Sequence, residues 1–142
     1  MTNLESAVER CVAHEEIRQL IARYCHYVRT RQVSAILQLY TPDGVFDMPA
    51  NMADGGVRSG QQAIEETFRD NLESMDPWPF THNHVIEMDG PDDARGFVYT
   101  EFRIGSDKLR LGFIGVYEDR YQRVDNIWKF HTRKLTALDV PA

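Results

Sequence analysis

The sequence predicts an α+β domain, because its hydrophobic pattern changes only once, from helical spacing to strand alternation. Apolar residues recur every three or four positions in the first part of the chain, and they alternate with polar residues from about residue 80 onward. The predicted order is two helices, a short strand, a third helix and then a four-stranded antiparallel meander. Because helices and strands do not alternate, a doubly wound nucleotide-binding sheet is not expected.

The first and longest helix is predicted over residues 5–29. Its apolar stripe, at helical spacing, consists of Val8, Cys11, Val12, Leu20, Ile21, Tyr24 and Val28. Most of the charged residues lie off this stripe, as in a helix that packs one face on a core. The stripe weakens at residues 13–15, so a break there remains an alternative.

A second, short helix is predicted over about 33–40, and the turn at residues 41–44 ends it because it contains Pro42 and Gly44. Residues 45–48 then form a short strand, and residues 49–56 form a loop. Ser59 is a candidate N-cap for a third helix that runs to about residue 72.

Four strands are predicted over residues 80–88, 94–104, 109–121 and about 127–136, each separated from the next by a turn rich in Gly, Asp or Asn. On the third of these, Leu111 and Phe113 fall on one face, whereas Ile114 and Val116 fall on the other. Both faces of this strand are therefore expected to be covered at least partly. Because helices cover only one face, a homodimer through the sheet is expected.

Composition limits the classes of function. The chain has 142 residues, which suits one domain over residues 1–142, and its net charge is −6. An acidic chain lacks the basic surface that nucleic-acid binding requires, and no apolar run approaches the roughly 20 residues of a membrane helix. No signal peptide is expected, and Cys11 and Cys25 are too far apart on one helix to form a disulfide. A soluble, cytoplasmic protein is the resulting expectation.

Three stretches together resemble the SnoaL-like families of the nuclear transport factor 2-like superfamily. The first combines IRQLIARY at residues 17–24 with LYTPDGVF at 39–46. The second is HNHVIEMDG at residues 82–90, followed by Ala94-Arg95-Gly96. The third is GVYEDRYQRVDNIWKF at residues 115–130. In this order and at this spacing they cover nearly the whole chain.

The resemblance implies a cystatin-like cone, in which a curved antiparallel sheet wraps around the long N-terminal helix and leaves an apolar pocket at its open end. Relatives such as scytalone dehydratase, lindane dehydrochlorinase and steroid isomerase perform acid–base chemistry on small hydrophobic molecules, usually without a cofactor. The expected function is therefore a cofactor-independent lyase or isomerase acting on a hydrophobic, oxygenated substrate. Alternatives are a non-catalytic ligand-binding or oligomerisation domain, or the small subunit of a ring-hydroxylating oxygenase.

The dehydratase-like relatives pair an Asp near the end of the first helix with a His on the first meander strand. Aligned on the matching stretches, these positions hold Arg29 and about Pro79 here, so both members of the pair are absent. A guanidinium remains protonated and cannot act as a base, but Arg29 could bind a carboxylate or stabilise an oxyanion. The alternative is a surface arginine at a helix C-terminus, where cations are favoured.

His82 is the candidate acid or base, on the assumption that a bulge at Pro79 turns it toward the pocket. The alternative is that His82 and His84 form hydrogen bonds on an edge strand. A His-x-His metal site would lack a third ligand of suitable spacing, so no metal is expected.

Further candidates complete the predicted site. His131 and Arg133 share one face of the last strand, which is either a pocket face, with Arg133 stabilising an anion, or a solvated one. Tyr24 is a candidate hydroxyl donor, although a packed tyrosine with a satisfied hydroxyl is the alternative. The other predicted pocket residues are Phe46, Trp78, Asn83, Phe102, Phe113 and Tyr117, and the sequence does not separate pocket wall from core among them.

Overall fold

The computed structural model describes residues 2–50, 52, 55–104 and 110–139, with the side chain of the last residue excluded. Three helices and six strands follow one another along the chain. They are α1 (Asn3–Arg29), α2 (Val33–Gln38), β1 (Tyr40–Met48), β2 (Gly56–Ser59), α3 (Gln61–Met75), β3 (Pro77–Met88), β4 (Asp93–Ile104), β5 (Leu111–Val124) and β6 (Ile127–Asp139).

Helix α1 is continuous over 27 residues, so the break considered at residues 13–15 does not occur. A capping box starts the helix, in which Thr2 accepts a hydrogen bond from the backbone of Glu5 and the Glu5 side chain accepts one from the backbone of Thr2. The buried face is formed by Ala13, Ile17, Leu20, Ile21, Tyr24 and Val28. Burial is thus concentrated in the C-terminal half of α1, which packs on the sheet.

The sheet has the strand order β2-β1-β6-β5-β4-β3 and bends around α1 without closing. Strands β3 to β6 form the predicted antiparallel meander. Strand β1, which starts at Tyr40 rather than Val45, adds to this meander by pairing in parallel with β6. Strand β2 lies in a region that the sequence did not assign to any strand, and it pairs with β1 in antiparallel fashion.

The start of α3 differs from the prediction that Ser59 caps it. Ser59 is the last residue of β2, and the N-cap is Gly60, whose φ of 86° favours glycine. At the other end, Asp76 terminates the helix in the left-handed conformation, with φ 43°.

Two irregularities in strand pairing decide which side chains face the interior. In β3 the register shifts between Thr81 and His84, and in the pairing of β5 with β6 it shifts between Arg120 and Tyr121. A shift of this kind inserts an extra residue, so the alternation of inward and outward side chains is reversed beyond it. Both shifts affect residues that the sequence placed in the site.

Aromatic and aliphatic side chains fill much of the space between α1, α3 and the inner face of the sheet. The opposite face of the sheet carries apolar side chains that are at least 37% exposed, namely Phe80, Val85, Phe97, Tyr99 and Ile114. Within the described ranges, none of the helices combines the length and hydrophobicity needed to cross a bilayer.

Candidate functional site

An apolar pocket lies where α1, α3 and the inner face of the sheet meet, and its cavity volume is about 60 Å³. Two stacked aromatic pairs form much of its wall: Phe46 with Phe68, at 5.4 Å between ring centroids, and Phe102 with Phe113, at 4.5 Å. Met52 and Met75 also line it and are partly exposed, which places them at its open side. We call this the α1–α3 pocket.

The polar groups of the α1–α3 pocket are few. Among the described lining residues, Tyr24, Tyr117 and Asn71 carry polar side chains, and none is charged or a histidine. The Tyr24 and Tyr117 rings lie edge to face, 6.1 Å apart, and their hydroxyls hydrogen-bond to each other. Burial raises the pKa of both phenols, so both are neutral at neutral pH; one of the two protons is used in the bond between them, and the other remains for a ligand.

Arg133 lies behind these phenols, fully buried. Its Cζ atom is 3.6 Å from the ring centroid of Tyr117 and 4.4 Å from that of Tyr24. Its Nε and Nη2 atoms donate to the two carboxylate oxygens of Asp119, at 2.9 and 3.2 Å. Arg133 is therefore in contact with two pocket residues without being among the lining residues itself.

A hydrogen-bond chain continues from Asp119 away from the pocket. The Tyr121 hydroxyl donates to Asp119 Oδ2 at 2.9 Å, and His84 Nε2 lies 3.1 Å from the same hydroxyl. Because the Tyr121 proton is already used, His84 Nε2 is the donor in the second bond. Burial, with smaller contributions from Arg133, Arg18 and His14, lowers the pKa of His84 to about 4.

Arg29 lies at the end of α1, outside the pocket lining. Its Nη1 atom donates to Asp76 Oδ1 at 2.8 Å and to the carbonyl oxygen of Pro77 at 3.2 Å, and its guanidinium lies over the Trp78 ring at 3.9 Å. Arg31 donates to the same Asp76 oxygen. These two hydrogen bonds lower the pKa of Asp76 to about 2. Trp78 is likewise absent from the lining.

The predicted histidines do not reach the α1–α3 pocket. His82 and Asn83 are exposed, and His82 Nε2 is 3.8 Å from a carboxylate oxygen of Glu101. The shift in β3 lies at these residues rather than at Pro79, so His84 is the histidine that turns inward. The shift in β6 likewise separates His131 from Arg133: His131 is partly exposed beside Thr41, whereas Arg133 is buried.

Five predicted residues do line the pocket, and they are Tyr24, Phe46, Phe102, Phe113 and Tyr117. The sequence did not identify Asp119, although β5 carries a pattern that could have found it. Tyr117, Asp119 and Tyr121 alternate on one face of β5, and a carboxylate between two inward tyrosines requires a buried partner. Helix α3 also contributes Phe68 and Leu72 to the lining.

In the described part of the chain, no three His, Cys, Asp or Glu side chains come together in an arrangement that could hold a metal ion.

The fold is that of a small α+β protein with a small apolar recess between its helices and its sheet. The SnoaL-like domain matches residues 9–134, and the chain belongs to this family. No curated protein matches the chain.

Solved structures with similar folds include a protein of unknown function from Mycobacterium tuberculosis, with 25% identity over 92% of this chain and 75% of that chain and a TM-score of 0.82. A putative scytalone dehydratase from Novosphingobium aromaticivorans is 17% identical over 95% of this chain and 90% of that chain, with a TM-score of 0.82. A hexachlorocyclohexane dehydrochlorinase, LinA type 2, is 17% identical over 95% of this chain and 91% of that chain, and its TM-score is also 0.82. The last two likenesses concern the fold alone.

Proposed function

We propose that this protein binds a small, mainly apolar molecule in the α1–α3 pocket and holds one oxygen atom of that molecule with the hydroxyl pair of Tyr24 and Tyr117, in which one hydroxyl donates to the ligand and accepts from the other. The observation that carries the proposal is the pair of neutral phenols in a recess whose other described lining is apolar except for Asn71. Apolar walls with a few convergent polar groups are typical of small-molecule sites. The walls supply affinity, and the hydroxyls orient the ligand.

The size of the recess limits its occupant. A volume of about 60 Å³ is well below the roughly 300 Å³ at which drug-sized sites begin, so the ligand is small or the walls move. Met52 and Met75 stand at the open side, and methionine side chains change rotamer easily. A ligand with a single ring could therefore be admitted by movement of these two side chains.

A lyase or isomerase is the second candidate, and it is favoured by the proximity of Arg133 to both phenols. A phenol next to a positive charge can donate a hydrogen bond or a proton to an oxygen that becomes negative during a reaction. Such a reaction also requires a proton acceptor, and the described lining contains no carboxylate or imidazole. For this reason we place ligand binding ahead of catalysis.

A matched pair of ligands tests the binding proposal. Acetophenone and cumene have similar shapes, but only acetophenone carries a carbonyl oxygen. We expect the protein to bind acetophenone more tightly, by roughly two- to twelvefold, as one neutral hydrogen bond contributes about 0.5–1.5 kcal/mol. Titrations followed by two-dimensional NMR give both dissociation constants.

The double variant Y24F/Y117F, which removes both hydroxyls, should abolish the preference for acetophenone while cumene still binds. His82→Gln, at an exposed position outside the pocket lining, is the matched control and should bind both ligands as the unaltered protein does. Binding of neither ligand, or a preference for acetophenone that persists in Y24F/Y117F, would contradict the proposal.

Catalysis can be examined with the same ligand. Acid–base chemistry at the carbonyl would exchange the methyl protons of acetophenone for deuterium in D₂O, and proton NMR follows this exchange. Exchange above the buffer rate, lost in Tyr24→Phe, would favour the lyase or isomerase. If acetophenone binds tightly but its methyl protons exchange only at the buffer rate, the result would support ligand binding rather than catalysis.

A further inference from the structure

We propose that the buried pair of Asp119 and Arg133 is a positioning element, which acts through Tyr117 and Tyr24 and makes the α1–α3 pocket prefer a ligand whose bound oxygen is negatively charged. The ligand class would be a small apolar compound with an acidic hydroxyl, such as a phenol or an enol. This inference rests on the proposed function, because it names the kind of molecule that the pocket takes.

The pair is oriented with its positive end toward the pocket. One side of the guanidinium is fixed by Asp119, whose carboxylate also accepts the Tyr121 hydroxyl and thus connects to the chain that leads away to His84. The guanidinium itself lies against the rings of Tyr117 and Tyr24, the two tyrosines of the pocket lining. The negative charge is therefore separated from the pocket by the positive one.

The charge state of the pair follows from its donors. Burial raises the pKa of Asp119, while Arg133 and Tyr121 act to lower it. Two N–H groups and one hydroxyl donate to its carboxylate, and this arrangement is satisfied only when Asp119 is ionised. The structure therefore holds a full ion pair in its interior.

The other titratable groups around Arg133 do not cancel its charge. Burial raises the pKa values of Tyr40 on β1 and Cys25 on α1, which keeps both neutral at neutral pH. His84 on β3 is neutral as well, because its pKa is lowered to about 4. Besides Asp119, the charge has no compensating anion among these groups, and the Nη1 atom of Arg133 has no hydrogen-bond partner within the described residues.

A cation on the face of a phenol ring withdraws electron density from it and makes the hydroxyl a stronger donor. The same charge attracts any negative oxygen that accepts this hydrogen bond, and water does not screen it in a buried site. Both effects favour the ionised form of a bound hydroxyl over the neutral form. A residue with only a packing role would not change the ratio of the affinities for the ionised and the neutral form of the ligand.

4-Nitrophenol is the probe for the test, because its ionised form absorbs visible light and its neutral form does not. A pH titration of the absorbance of the bound and the free probe gives the shift in its pKa, and hence the ratio of the two affinities. We expect the anion to bind on the order of tenfold more tightly than the neutral form, which lowers the pKa of the bound probe by about one unit.

Removing both charges tests the assigned role without leaving one buried charge unpaired. The double variant D119N/R133Q keeps amide hydrogen bonds at both positions, and D119L/R133M replaces the pair with apolar side chains of similar size. In either variant we expect the anion preference to disappear. The single variant R133K keeps a positive charge at this position and should therefore retain part of the anion preference. Cumene reports whether the pocket is still formed in each variant.

The outcomes separate the two proposals. If the protein binds acetophenone and 4-nitrophenol but a charge-free variant with a formed pocket shows the same probe pKa, the role of Asp119 and Arg133 is overturned while the binding proposal stands. If the pKa of the probe does not change when it binds to the unaltered protein, the role of Asp119 and Arg133 is likewise overturned and the binding proposal stands. If no ligand binds, the proposed function fails, and this inference fails with it.

Discussion

Arg29 Nη1 lies 2.8 Å from Asp76 Oδ1, so a hydrogen bond and an ion pair join the C-terminal end of α1 to that of α3. The sequence resemblance aligns Arg29 with the aspartate of the dehydratase-like relatives, and its charge is opposite. The carboxylate that accompanies it comes from the end of another helix. Arg29 therefore holds the two helices that border the α1–α3 pocket, rather than taking part in its lining.

Asp76 should make the stability of the protein dependent on pH in acid. The pKa of Asp76 is lowered to about 2 by the hydrogen bonds from Arg29 and Arg31, below its ordinary value of 3.8. The folded state therefore releases this proton more readily than the unfolded state. The stabilisation is complete above about pH 4 and is lost as the pH falls toward 2.

In urea unfolding at a series of pH values, the difference between the unaltered protein and Asp76→Asn should shrink over this range. Asp70→Asn, at an exposed position on the same helix, is the control and should give no such convergence. A constant difference between the protein and Asp76→Asn down to pH 2 would show that the ion pair does not stabilise the fold.

His84 gives a second pH dependence, over a different range. Its pKa is lowered from 6.5 to about 4, mainly by burial, so between these values the unfolded state binds a proton and the folded state does not. Stability should therefore rise with pH from about 4 to 6.5. NMR titration of the ring protons should give a midpoint near pH 4. His84→Gln should flatten the stability profile, whereas His82→Gln, at the exposed neighbour, should leave its slope as it is.

Gly96 is required by close packing between strands. A Cβ atom at this position would lie 2.5 Å from the carbonyl oxygen of Val85 and 3.0 Å from the Tyr121 hydroxyl. Gly96→Ala should lower the free energy of unfolding by about 1–3 kcal/mol, as is usual for overpacking. Gly90→Ala meets no atom within 4 Å and is the control. Equal unfolding midpoints in urea would contradict this account of Gly96.

A homodimer through the sheet remains a prediction, and the exposed apolar face of β3 and β4 defines where it would form. Val85 and Phe97 are paired across these strands and are both more than 40% exposed. If a second copy covers them, Phe97→Glu should convert the dimer to a monomer in sedimentation velocity experiments. Ile127→Glu is the control, because it replaces an exposed apolar residue at the β5–β6 turn, and it should leave the dimer intact. A protein that is already monomeric would exclude this dimer.

The periodicity of the sequence was sufficient for the long helix and the meander, because burial of one face fixes the spacing of apolar residues there. It was not sufficient for β2, whose four residues contain a single large apolar side chain. The parallel pairing of β1 with β6 joins segments far apart in the chain, and no local pattern specifies such a contact.

The site was predictable only to the extent that regular alternation holds. Tyr117 keeps the parity that β5 implies, and it lines the pocket. His82 and His131 lie at register shifts, where one additional residue reverses the direction of the side chains that follow. The position of such a shift depends on the packing between neighbouring strands, so it could not be read from either strand alone.

The place of β6 in the sheet has a consequence for how the chain acquires its structure during synthesis. Strand β6 lies between β1 and β5, so the β1–β2 hairpin has no connection to the rest of the sheet until residues 127–139 have been made. The sheet can therefore be completed only after this last strand has emerged from the ribosome, and until then part of the core remains uncovered. Truncation within β6 would leave two separate half-sheets and a nascent protein prone to aggregation.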